Sequence, residues 1–277
     1  FDHGITHFDL ANNYGPSYGS AEETFGQIMK SSFAPYRDEL FISTKAGHDM
    51  WPGPYGNWGS RKHLMASLDQ SLKRMNLDYV DVFYSHRYDP DTPLEETLQA
   101  LVDIVRKGKA LYVGLSKYPL DAYLFACHYL RERDVPCLLY QGRYSMLVRE
   151  PESQGILNAV KENGSGFVAF SPLAQGLLTN RYLNGIPDDS RIARGGFLKK
   201  EALTPEVLSK IQALNERAAM RGQSLAEMAL AWLLKNETVT SVIVGASSVE
   251  QLGDSLKTLN HLSFEEEELH AIEKILM

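Results

Sequence analysis

Residues 80–116 read VDVFYSHRYDPDTPLEETLQALVDIVRKGKALYVGLS. Two short apolar runs, Val80–His86 and Leu111–Ser116, bracket a helical segment with a clear start signal. Thr92-Pro93-Leu94-Glu95 places Thr at the N-cap, Pro at N1 and Glu at N3, the pattern of a capping box. A strand, a helix and a second strand joined over this distance predict a right-handed βαβ crossover. Both runs are mostly apolar, as expected of parallel strands covered on both faces.

The same rhythm extends outward in both directions. Upstream lie the runs Thr6–Ala11 and Leu40–Lys45; downstream lie Cys137–Tyr144, Gly166–Pro172 and Ser241–Ala246. The helix after Ser60 carries Leu64, Leu68 and Leu72 on one stripe. Ser224 and Ser247 open two further helices as N-caps. Seven parallel strands alternating with helices predict an α/β fold, a (β/α)8 TIM barrel filling residues 1–277 as one domain. Such a barrel needs eight strands. Phe1-Asp2-His3-Gly4 opens the chain without Met and reads as the tail of a helix. The expectation is that the first strand and most of the first helix belong to the natural protein ahead of Phe1. An open doubly wound sheet is the alternative; no G-x-G-x-x-G marks a strand–helix junction here.

Composition narrows the function. With 28 Lys and Arg against 35 Asp and Glu the net charge is −7, which excludes a broad nucleic-acid face but not a local basic pocket. The two cysteines, Cys127 and Cys137, sit in apolar surroundings and read as reduced thiols. No apolar run approaches the roughly 18 residues of a membrane span, and no signal peptide opens the chain, so a cytoplasmic location without membrane partners is expected. The histidines are scattered and have no metal-binding spacing. Glu265–Glu268 falls on the first turn of the last helix, where the helix dipole favours negative charge.

Chemistry concentrates at strand ends. In a parallel barrel these residues face the active site, and here they are Asp9, Lys45 and His86, with Tyr14 just after the first strand. Each alone has a plain explanation: a helix cap, a snorkelling lysine, a satisfied core histidine. Four at successive strand ends point instead to one site. A phenol with a pKa of about 10 is a weak acid at neutral pH, and an adjacent ammonium stabilises its phenolate. Asp9 would pair with Lys45, and His86 would orient a carbonyl oxygen and stabilise the developing alkoxide. The set contains no nucleophile and suits carbonyl reduction by an external hydride, hence a nicotinamide cofactor.

Asp9, Tyr14, Lys45 and His86, in the contexts FDLANNYG, ISTKAG and FYSHR, resemble the Asp–Tyr–Lys–His tetrad of the aldo-keto reductases. GLS (114–116), Gln141 followed by Tyr144, SPLAQGLLT (171–179) and VGASSVEQL (244–252) match later family motifs in order. The stretch STKAGHDMWPGPYGNWGSRKHL resembles a branch that includes bacterial L-glyceraldehyde 3-phosphate reductases and is similar to potassium-channel β subunits.

The resemblance implies roles for further residues. Ser116 and Gln141 would bond the nicotinamide carboxamide and Tyr144 would stack on the ring. Ser171, Leu173, Gln175, Gly176 and Leu178 would follow the pyrophosphate and ribose, with Arg191 reaching the phosphates. Gly245, Ser247, Gln251 and Asp254 would surround the adenosine end. Ser248 and Ser255 stand where close family members carry Arg or Asn, and Asn. A missing guanidinium removes a partner for the 2′-phosphate, so NADP is expected with NAD left open. Lys117 and Ser145 also depart from the usual Ser/Asn and Asn. Trp51 and Arg87 are candidates for the substrate pocket; loop packing and a surface ion pair are their alternatives. The implied substrate is a short carbonyl compound such as methylglyoxal or L-glyceraldehyde 3-phosphate, reduced by a homo-oligomer. A regulatory subunit sensing the nicotinamide redox state would keep the same tetrad, and a scaffold without cofactor is a third reading.

Overall fold

Apolar runs of β-branched and aromatic residues form the strands, and the stripes between them form the helices that cover them. The computed structural model describes residues 1–183, 185–188, 190, 192–193, 195 and 198–277. They fall into two units, Phe1–Gln141 with Ala159–Gly166, and Gly142–Asn158 with Phe167–Met277.

The first unit holds β1 (His7–Asp9), α1 (Ser20–Ile28), β2 (Phe41–Ala46), α2 (Arg61–Met75), β3 (Val80–Ser85), α3 (Leu94–Arg106), β4 (Ala110–Ser116) and α4 (Leu120–Arg131). β5 (Cys137–Arg143) begins in it. Each strand pairs in parallel with its predecessor, in chain order. A doubly wound sheet reverses strand order at a switch point; no reversal occurs across these strands. Every residue of β3 is buried, as are Leu64, Leu68, Leu72 and Met75 of the α2 stripe. Gly114 of β4 faces Tyr84 of β3 in register, and a Cβ there would lie 2.3 Å from the tyrosine ring. Only glycine lets that ring lie flat against the neighbouring strand. Cys127 and Cys137 are free, buried thiols.

The second unit contains α5 (Glu150–Ser153), β6 (Gly166–Phe170), α7 (Pro205–Met220), α8 (Leu225–Leu234), β7 (Val239–Val242), α9 (Val249–Lys257) and α10 (Glu266–Leu276), while α6 (Ile156–Glu162) is shared. β6 and β7 pair in parallel, and α8 buries nearly its whole length, Trp232 included. Glu265 and Glu268 form the capping box of α10. No helix among the described residues is long and apolar enough to cross a membrane.

Three local expectations differ from the structure. Thr92 does not cap α3: its hydroxyl donates to Asp89 Oδ2 at 2.6 Å, and Pro93 becomes the N-cap. That charge-assisted bond, with the Asp91 and Thr92 N–H groups on Asp89 Oδ1, folds Thr92 toward Asp89 and away from the helix start. The cap of α9 is Ser248, not Ser247, because Gln251 N–H donates to Ser248 Oγ while its side-chain oxygen accepts from Ser247. β7 covers Val239–Val242, earlier than Ser241–Ala246, since Val239 already pairs with Phe167. Phe1–Gly4 form a turn closed by Gly4 N–H to the Phe1 carbonyl, with Gly4 at φ 87°.

Candidate active site

Register determines which side chains meet. Asp9 lies directly opposite Ser43, and side chains two residues apart on a strand share a face, so His7 and Asp9 of β1 meet Ser43 and Lys45 of β2. The Lys45 side chain is fully buried, and its Nζ has three partners: Asp9 Oδ2 at 2.5 Å, the Leu10 carbonyl at 2.7 Å and Tyr14 Oη at 3.5 Å. The ammonium also lies 4.9 Å from the centre of the Tyr14 ring. Its charge is thus paired, its donors are used, and it faces the phenol oxygen.

Asp9 is held on both oxygens. Oδ1 accepts from Ser43 Oγ at 2.7 Å and from Gln141 Nε2 at 3.1 Å, while Oδ2 takes Lys45. Ser43 in turn contacts His7 Nε2 at 3.1 Å. Burial outweighs the attraction of Asp9 and keeps His7 below the ordinary histidine range. Neutral His7 donates to Ser43, which donates to Asp9. Neither His7 nor Ser43 was among the sequence candidates; their i, i+2 spacing from Asp9 and Lys45 is the signal that marks them.

Tyr14 follows the strand in a tight turn, with its N–H on the Ala11 carbonyl and its own carbonyl accepting from Ala21 N–H at the start of α1. Gly15 has φ 113°, and a Cβ there would lie 2.0 Å from Ser20 Oγ. That left-handed residue turns the chain into α1 and leaves the phenol beside Lys45.

His86 follows β3, with its N–H on the Ala46 carbonyl at 2.9 Å. It is 6% exposed and its ring stands edge-on to Tyr14, with centroids 5.8 Å apart. His48 packs perpendicular to its other side at 4.5 Å. Burial, then the positive charge of Lys45, holds His86 far below its ordinary range. It is neutral and so carries one N–H donor. Its Nδ1 is buried with no partner among the described residues.

Ser116 and Gln141 are opposite each other at the ends of β4 and β5. Both are buried, and Ser116 Oγ has no hydrogen-bond partner among the described residues. A buried orphan hydroxyl beside a buried amide is a fit for an amide ligand, because leaving such a group unpaired costs about 1–3 kcal/mol. The nicotinamide carboxamide matches that donor set.

The rim is cationic. Arg87 donates to the Gly47 carbonyl at 2.8 Å and to Asn57 Oδ1 at 2.6 Å, and its guanidinium lies 3.5 Å from the centre of the Trp58 ring. Trp51 packs against His63 of α2, with ring centroids 5.0 Å apart. Its backbone lies close to Gly56 of the same loop.

The remaining cofactor candidates lie in the second unit. Tyr144 is 2% exposed, its ring edge-on to Phe167 and its hydroxyl bonded to Glu152. Ser171, Ala174 and Gln175 have φ of 53°, 47° and 61°, followed by Gly176 at 101°. Three non-glycine residues in left-handed conformations within six positions cost of order 1–3 kcal/mol each, a concentration usual in ligand-binding loops. The Leu173 carbonyl accepts from Gly176 N–H at 2.8 Å and from Leu178 N–H at 3.1 Å. Gly245, Ser247, Gln251 and Asp254 are exposed, and Asp254 is engaged with Lys257 at 2.7 Å. Arg191 lies outside the described residues.

A family model described as the aldo/keto reductase family matches residues 1–277. A protein of Escherichia coli strain K12 named L-glyceraldehyde 3-phosphate reductase is 57% identical over 279 aligned positions, spanning 99% of this chain and 80% of that protein. An Arabidopsis thaliana protein named as a probable voltage-gated potassium channel subunit beta is 37% identical, over 94% of this chain and 79% of its own. Among solved structures, a thermostable aldo-keto reductase in complex with the inhibitor epalrestat is 30% identical with a TM-score of 0.75, covering 99% of this chain and 83% of that one.

Proposed function

The chain belongs to the aldo/keto reductase family, an oxidoreductase family with a (β/α)8 fold and nicotinamide cofactors, and from that premise we propose that it reduces short carbonyl compounds with NADPH, with Tyr14 as the proton donor. The observation that carries this reading is the position of Lys45 Nζ, in contact with both Asp9 Oδ2 and Tyr14 Oη.

Ser116 and Gln141 would hold the carboxamide of the nicotinamide. When bound, the cofactor supplies the hydride that adds to the carbonyl carbon. Neutral His86 donates a hydrogen bond to the carbonyl oxygen and fixes its direction. As the carbon–oxygen π bond breaks, Tyr14 transfers its phenolic proton to the developing alkoxide. Lys45 stabilises the negative charge left on Tyr14 Oη, and Asp9 holds the ammonium in place. Gln141 has a double part, because its Nε2 already steadies Asp9. In the second unit, the left-handed turns of Ser171–Gly176 and the capped start of α9 would take the phosphates and the adenosine end.

The substrate suggested by the 57% identical relative's name is L-glyceraldehyde 3-phosphate; methylglyoxal is a second short carbonyl of the same class. Loss of NADPH absorbance on addition of either compound tests the reading directly. No turnover with NADPH or NADH across a panel of short aldehydes and ketones would refute it.

A further inference from the structure

We infer that Lys117 and His48, backed by Arg87, form a subsite for an anionic group, a phosphomonoester, on the carbonyl substrate. This rests on the carbonyl-reductase reading and adds to it the residues that would select a phosphorylated substrate over a neutral one.

Lys117 directly follows the buried Ser116 and adopts φ 56°, a left-handed conformation uncommon for lysine. That turn sends its side chain back across the strand ends, where Nζ meets His48 Nε2 at 3.0 Å. The contact spans 69 residues of sequence, so the fold brings it about and chain proximity does not. His48 itself packs against His86, whose other side faces Tyr14. The lysine therefore stands one imidazole away from the ring assigned to the carbonyl oxygen.

Arg87 and His48 feel the negative charge of Asp49, and Arg87 that of Asp89, whereas Lys117 has only cations against it. Partial desolvation, then Arg87 and Lys45, holds the Lys117 ammonium below the ordinary lysine range, and no acid opposes them. Burial, then the charges of Lys117 and Arg87, pushes His48 down to about 4, so it is a neutral acceptor at physiological pH. Among the described residues Lys117 makes no ion pair; a neutral imidazole is its partner. Elsewhere near the tetrad cations are compensated, as Lys45 is by Asp9. Lys117 is exposed on its open side and accessible to a ligand. A dianion would give Lys117 the countercharge it lacks and offset its repulsion by Arg87 and Lys45. The ammonium would bind a phosphate as a point charge. Arg87 is fixed on Gly47, Asn57 and Trp58, so it contributes its field from a rigid position.

The test compares glyceraldehyde 3-phosphate with glyceraldehyde in the full-length protein, together with the variants Lys117→Met and Lys117→Arg. The expected result is that kcat/KM favours the phosphorylated aldehyde, that K117M cuts this ratio at least tenfold through KM, and that K117R restores most of it. Calorimetric titration with inorganic phosphate is the arm that needs no turnover: binding should be lost in K117M and retained in K117R. An unchanged ratio, or phosphate binding unaffected by K117M, overturns the inference while leaving carbonyl reduction intact. A K117M variant whose chief defect is weaker NADPH binding overturns it too, by assigning the lysine to the cofactor. If no carbonyl is reduced, the carbonyl-reductase reading fails, and phosphate titration alone decides whether the anion site exists.

Discussion

Replacing Lys45 by methionine separates the structural task of the buried pair from its chemical one. The lysine side chain is fully buried and that of Asp9 is 7% exposed, with 2.5 Å between the charges. Removing one partner of such a pair leaves an uncompensated buried charge, at a cost of about 3–5 kcal/mol. Asp9 would retain Ser43 at 2.7 Å and Gln141 at 3.1 Å on its other oxygen. Those donors place the expected loss for K45M near the lower bound, about 3 kcal/mol. Adding Asp9→Asn removes the orphan charge while keeping an acceptor for Ser43 and Gln141. The double variant should then be more stable than K45M alone, and the sum of the two single losses should exceed the double loss by about 1–3 kcal/mol. Turnover should not follow stability: both K45M and D9N/K45M lack the ammonium beside Tyr14 and should be nearly inactive. Urea unfolding and NADPH oxidation, measured on the same four proteins, read the two quantities. Additive stability losses would refute the paired-charge argument. A folded K45M that keeps wild-type kcat would refute the role of Lys45 at the phenol.

Other outcomes follow from the same geometry. Tyr14→Phe should lower kcat by about 10²–10⁴-fold while NADPH binding, read by fluorescence quenching, persists; a loss under fivefold removes Tyr14 as the acid. Folded-state values of His86, His48, His7 and His63 all lie below that of an unfolded histidine near 6.5. The unfolded chain therefore takes up protons first, and stability, complete above pH 6.5, falls as pH drops toward the folded values, about 4 for His48. His86, 6% exposed, should alone cost about 2 kcal/mol between pH 6.5 and 5, and a flat denaturation midpoint over that window would contradict the buried neutral state. Glu22 is fully buried on α1, accepting from Thr44 Oγ1 at 2.5 Å and from Arg74 Nε at 2.8 Å. Glu22→Ala should destabilise by about 3 kcal/mol, since Arg74 retains some access to water; a midpoint unchanged in urea would show that the pair contributes nothing.

What the sequence made legible is the part fixed locally. Short apolar runs identified all seven strands among the described residues, and both ends of six came within a residue or two, because a strand buried on both faces has few polar residues to blur it. Asp9, Lys45 and His86 stood out for the opposite reason: Asp, Lys and His at strand ends have no apolar justification, and the fold brings them together with Tyr14. What was not legible depends on register. Ser43 and His7 read as ordinary strand residues until Asp9 is seen opposite Ser43. Gln141 was assigned to the cofactor alone, and only the pairing of successive strands brings its amide to Asp9. The misplaced caps have a similar origin. Thr92 and Ser247 carry the right side chains, but Asp89 and Gln251 outcompete the helix termini for them.

Two neighbouring strand ends share a division of labour that bears on how such a site diversifies. At the end of β3, His86 is buried against Tyr14 and the next residue, Arg87, turns out to the rim. Beyond Ser116, the buried last residue of β4, Lys117 turns outward in a left-handed conformation. The buried residue in each pair is held by its packing inside the site. The residue after it is joined to the same backbone but faces solvent and substrate. A change at the second position therefore alters the charge met by the substrate without moving the reacting groups by more than the slack in one peptide unit. Lys117 in place of the family's usual Ser or Asn is a change of this kind: it adds a cation to the rim while Ser116 stays buried and the Asp9–Lys45–Tyr14 contacts are made by other strands. Substrate charge preference should then be transferable between members by exchanging residue 117 and its partner His48.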